Sequence, residues 1–178
     1  LFRSRRALLR RLFLRRPREG AAAVEFAMIA LPFLFMLFAI AEIAFVFVLD
    51  SVLENAVIET GRLVRTGQAS AQGFTNDTFK TRMCDRMNIF AAGCLGKVHV
   101  DVRVVGSYTN PNVPDPMQGG TFSASGLTYQ NGQAGNLMLA RAWYRHTLFT
   151  PFLSQGLARG GSDSWLMAST AFQNEPWN

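Results

Sequence analysis

Apolar residues are distributed very unevenly along this chain. From Ala21 to Leu49, 29 consecutive positions carry only two charged groups, Glu25 and Glu42. A helix of that length measures about 43 Å, against a bilayer hydrocarbon core of about 30 Å, so the run predicts a single transmembrane helix. It exceeds the roughly 7–15 apolar residues of a secretory signal, and its alanines precede the apolar stretch rather than follow it. Pro32 removes one backbone hydrogen bond and would kink or loosen the helix. Beyond Leu49 the pattern becomes amphipathic. Leu53, Val57, Leu63 and Val64 alternate at helical spacing with Asp50, Glu54, Glu59, Arg62 and Arg65, which carries the helix into water until Gly67 stops it; Gly61 weakens its far end.

The remaining elements are shorter. Gln68 to Gly73 reads as a small polar loop. A second helix starts near Thr75 or Asn76, with Phe79, Met83, Met87 and Phe90 on one face, and runs to Gly93. Asn76-Asp77-Thr78 fits a glycosylation sequon, but a helix cap explains it better. From Lys97 to Tyr108, Val98, Val100, Val102 and Val104 alternate with His99, Asp101 and Arg103, the period-two pattern of a half-buried strand with those polar groups on its wet face. Asn110 to Gly120 is an exposed loop and Phe122 to Tyr129 a short strand. Met138 to Thr147 and Ser164 to Phe172 are further strands, and Thr150-Pro151 and Gly160-Gly161 bracket a mobile segment between them.

Charge changes this picture only at the N-terminal end. Residues 1–20 hold eight arginines and one glutamate, a net +7, while the whole chain is +6, so the rest is nearly neutral. A nucleic-acid binder would carry its basic residues on the folded part, so no nucleic acid is expected as a partner. Arginines beside an apolar span fix that end in the cytoplasm. Cys84 and Cys94 lack metal-ligand or C-x-x-C spacing; outside the cytoplasm they are candidates for a disulfide, with two independent buried thiols as the alternative. The two histidines, His99 and His146, stand in strands without a nucleophile motif. The chain therefore reads as a non-enzyme without cofactor or metal.

Glu25 is the residue that demands an explanation. An ionised carboxylate within hydrocarbon costs a few kcal/mol unless it is paired, neutral or close to the interface. Snorkelling to the cytoplasmic headgroups is one answer for Glu25, and snorkelling to the outer interface is the answer for Glu42. The context offers another. Gly20-Ala21-Ala22-Ala23-Val24-Glu25-Phe26-Ala27, Leu31-Pro32 and Glu42, together with the ending Phe172-Gln173-Asn174-Glu175-Pro176-Trp177, resemble the TadE family of pseudopilin-like proteins of tight-adherence (Flp-type) pilus systems. The chain departs at Ala41-Glu42-Ile43-Ala44, where members often show Glu-Phe-Gly-Arg. The resemblance implies cleavage between Gly20 and Ala21 by a prepilin peptidase, and assembly through Glu25. A new amine at Ala21 and the Glu25 carboxylate of a neighbouring subunit would then neutralise each other, two costly groups becoming one tolerable pair. It also marks Asn174, Glu175 and Pro176 as a family motif of the C-terminal end.

The expectation is thus an α+β protein. Residues 1–20 form a basic cytoplasmic leader and 21–49 a transmembrane helix in the bacterial inner membrane. Residues 50–178 form a pilin-like periplasmic domain with an antiparallel sheet. Its partners would be the prepilin peptidase, other pilins or pseudopilins and the pilus assembly platform. The rival reading is a permanently anchored periplasmic scaffold or binding protein that never enters a filament.

Overall fold

The computed structural model describes residues 18–150 and 163–177. Most of the arginine-rich leader and the segment expected to be mobile lie outside those residues. The architecture is α+β, a long apolar N-terminal helix followed by a small domain with an antiparallel sheet. Helix α1 (Arg18–Arg65) is continuous through Pro32. The chain divides into two compact units between Ile40 and Ala41, so the end of the apolar run belongs to the second unit.

In the second unit α1 buries Leu49, Leu53, Ala56, Val57 and Val64, the i, i+4, i+7 stripe of an amphipathic helix, against one face of the sheet. The sheet has the order β1–β4–β5, all antiparallel, with β1 (Val98–Val104), β4 (Leu137–Thr147) and β5 (Asp163–Gln173). Small residues Ala140, Ala142 and Ala168 sit on the packed face between the larger Val98, Val100, Val102, Met138 and Tyr144. Gly61 belongs to this packing. A Cβ there would stand 3.1 Å from the Phe172 ring and 3.3 Å from Thr170, so its absence admits β5 to the helix.

Several local expectations change in the structure. Gln68–Ala71, read as loop, forms a single helical turn, α2, entered through Gly67 at φ +77°. Helix α3 (Asn76–Asp85) is capped by Thr75, whose hydroxyl accepts the Thr78 amide, and not by the Asn of the sequon. It stops at Asp85 instead of running to Gly93, because Asn88 takes a positive φ of 50° and two 3-10 turns follow, Asn88–Phe90 and Cys94–Gly96. Those turns bring Cys94 back to Cys84, and the two form a disulfide with Cα atoms 5.7 Å apart. The expected exposed loop contains a strand, β2 (Met117–Gln118), paired with β3 (Thr121–Phe122), and Tyr129 joins Val102 through an isolated parallel bridge.

The largest departure is Asp101. Alternation placed it on a wet face, yet it is fully buried. Its neighbour across the sheet is Arg141, which donates from Nη2 at 2.6 Å and from Nε at 3.1 Å. Arg103 donates through Nε at 2.9 Å and Nη2 at 2.5 Å, and the Thr128 amide at 2.9 Å. The same arginines reach the carbonyls of Pro114 and Gly126, so one carboxylate pins the long β1–β4 connection over the outer face of the sheet. Arg141 also lies over the Trp143 ring, 4.8 Å from its centroid.

Removing one partner from a buried pair leaves the other charge uncompensated, at about 3–5 kcal/mol. Asp101→Ala should therefore lower unfolding free energy by about 3 kcal/mol or more, read as a shifted urea midpoint of the detergent-solubilised full chain. Proteolysis within 105–131 should rise with it. A loss below about 1 kcal/mol, the value of an exposed pair, would show that the cluster is solvated.

Candidate functional site

Two places on the molecule match the residues singled out by sequence: the first turns of α1 and the far end of the domain. Gly20, Ala21 and Glu25 all lie within α1 and are exposed, with no neighbouring atom within 4 Å of a Cβ built on Gly20. Around them Val24, Phe26, Met28, Ile29, Leu31 and Phe33 are more than half exposed, on every side of the helix. A helix apolar all round is covered by lipid or by other helices. Among the described residues α1 is the one helix long and apolar enough to cross a membrane. Its most apolar window has mean hydropathy 2.5 and is only 6% buried, unlike the core helix of a water-soluble domain. These features are those of a single-pass membrane protein.

Glu42 behaves differently from the outward-reaching side chain expected of it. It is buried, and its carboxylate accepts the backbone amides of Phe149 and of Thr150, the latter at 2.7 Å. The carboxylate thus fastens the end of β4 to the helix at the point where α1 enters the domain. His146 packs beside it between the rings of Phe45 and Phe149, with centroids 5.5 and 5.9 Å away. Burial pushes its pKa below the ordinary histidine value, helped by Lys97 and opposed by Glu42 and Asp163, which favours the neutral ring. His99 stacks near Phe122 and Trp165 at 4.7 and 5.7 Å; burial lowers its pKa too, with Lys80 and Arg145 contributing. Among the described residues neither imidazole is hydrogen-bonded to a hydroxyl or thiol. Among the described residues no group of three or more His, Cys, Asp or Glu is placed to hold a metal ion.

The C-terminal motif closes the other end of the domain. Asn174 is buried; its amide donates to the carbonyls of Asn131 and Gln133, both at 3.1 Å, and its backbone pairs with Gly135 and Asn136. Glu175 donates its backbone N–H to the Arg65 carbonyl, one of the unpaired acceptors at the end of α1, and its carboxylate meets the Arg65 Nε at 3.2 Å. Trp177 lies flat against Gly67, where a Cβ would come within 2.6 Å of the ring. Asn174 and Glu175 are thus brought together with the end of α1, while Gly20, Ala21 and Glu25 form a separate set. Sequence reading missed Glu42's backbone partners and the Asp101 cluster.

Gly67 is doubly constrained, by its left-handed backbone and by the Trp177 ring. Gly67→Ala should destabilise the domain by about 1–2 kcal/mol from φ alone and release the last residues. Faster hydrogen exchange at Asn174 and Glu175 would register that release. Adding Trp177→Ala removes the clash but leaves the strained φ. Unchanged exchange in Gly67→Ala would contradict this account of the C-terminal lock.

Among comparisons with known proteins, no curated protein and no solved structure matches the chain. One family model does, described as TadE-like protein, over residues 20–62. The matched span begins at Gly20, takes in Glu25, Pro32 and Glu42, and ends three residues before the close of α1. The chain therefore carries a TadE-like segment, and that segment is the exposed apolar helix with its continuation into the domain.

Proposed function

We propose that this protein is a pilin-like (pseudopilin) subunit of a tight-adherence pilus system, cleaved between Gly20 and Ala21 by a prepilin peptidase and assembled through its N-terminal helix. The observation that carries this reading is the coincidence of the TadE-like match with an exposed apolar helix in which Glu25 is the one charged residue between Gly20 and Ala41. Residues 21–40 then form the membrane-spanning part, about 30 Å of helix, the thickness of the hydrocarbon core. Ala41 begins the domain on the periplasmic side, and the leader's arginines hold the other end in the cytoplasm.

Cleavage after Gly20 has a clear electrostatic consequence. It removes a +7 leader whose attraction to anionic lipids amounts to about 1 kcal/mol per arginine near the surface, and so frees the helix to leave the membrane. The new Ala21 amine sits beside Glu25 in sequence, and a neighbouring subunit's carboxylate can satisfy it. Glycine at the cut lets a protease hold the backbone extended with no side chain in the way. On this reading the chain is a substrate of such an enzyme and a partner of other pilins. The periplasmic setting also suits the Cys84–Cys94 bridge.

N-terminal sequencing of the chain extracted from membranes of cells with an active prepilin peptidase should begin at Ala21. An intact leader there would contradict the processing. Glu25→Ala should leave that cleavage largely intact while association with other pilin-like subunits falls at least ten-fold in pull-downs; normal association would favour a permanently anchored protein instead.

A further inference from the structure

The end of the domain where α1 enters it is unusually greasy for a surface facing water. Phe149 is 79% exposed and Ile89 81%, and Phe47 on α1 is 68% exposed. Their positions are fixed by contacts already described. The Phe149 amide is held by Glu42, only two residues past Ile40. Ile89 stands in a 3-10 turn whose next residue, Phe90, meets Phe45 edge-on at 5.4 Å. The second 3-10 turn, stapled by the disulfide, exposes Leu95 just before Lys97, whose carbonyl accepts the Arg145 amide at 2.9 Å beside the foot of β4. Exposed apolar tips and the exposed cations Lys97 and Arg145 thus share one rim.

We propose that this rim is a membrane-docking surface, with Phe149, Ile89 and Leu95 sinking into the headgroup region of the bilayer from which α1 emerges. The inference rests on the reading of residues 21–40 as a span. Continuity with that span names the occupant. A side chain tied to Glu42 sits within about one helical turn, roughly 5 Å, of where the hydrocarbon would end. An aromatic ring and aliphatic tips bordered by cations are the composition that an anionic interface accepts. Glu42 suits such a place because two backbone N–H groups satisfy its carboxylate, and the hydrophobic packing of His146 adds no exposed polar group. The Cys84–Cys94 bridge closes the loop that carries the first 3-10 turn and anchors the start of the second.

The test uses the full chain at one copy per nanodisc, in bilayers containing phosphatidylglycerol and lipids brominated near the glycerol end of the acyl chain. The Trp emission added by Phe149→Trp over that of the unsubstituted chain should be quenched at least two-fold. That added by Ile58→Trp, an exposed site sixteen residues or about 24 Å further along α1 than Glu42, should not be quenched. Phe33→Trp reports the span itself. Quenching at Phe33→Trp without quenching at Phe149→Trp would overturn the docking rim and leave the span intact. No quenching at Phe33→Trp, with or without quenching at Phe149→Trp, would overturn the span and the docking inference built on it.

Discussion

Everything in this protein follows from one constraint: an apolar helix of about 30 Å must be kept out of water. Each large side chain costs about 1.5–3 kcal/mol when left exposed, and Val24 through Ile40 presents more than ten of them. No part of the described domain could cover such a helix on all sides. Lipid can, and so can a bundle of similar helices. A protein that passes between those two environments needs a helix that is apolar all round, and a charge that is tolerable in both. Glu25 meets the second need only with a partner, which the proposed cleavage would supply as an amine at Ala21.

The domain is built to hold that helix firmly from Ala41 onward. Glu42 grips the foot of β4, the Leu49-to-Val64 stripe fills the groove of the sheet, and Arg65 is bound by Glu175 with Trp177 closing over Gly67. The grip is thus distributed along the whole amphipathic half of α1. The Asp101 cluster does the corresponding work on the outer face, fastening the long connection between β1 and β4.

Much of this could be read from sequence, for reasons that are local. Helix α1 announces itself by composition, and β4 and β5 by their flanking turns. The cysteines were candidates for a disulfide because of their expected compartment, with two independent thiols as the alternative, and the bond is present. What could not be read depends on register between distant segments. Asp101 is buried only because β1 pairs with β4 so as to set Arg141 opposite it, forty residues away. Glu42 finds its partners 107 and 108 residues on, and Gly61 is explained only by where Phe172 falls. The candidate processing and assembly residues, Gly20, Ala21 and Glu25, stand in one contiguous motif, so proposing them needs no register between distant segments.

The central claim is that α1 leaves lipid for the helices of other pilin-like subunits. Site-specific photo-cross-linking from Phe26, one residue past the carboxylate, tests it most directly in cells that carry the pilus machinery. The account predicts adducts with other pilin-like subunits that disappear when the prepilin peptidase is absent. Adducts with lipid alone, unchanged by loss of the peptidase, would contradict it.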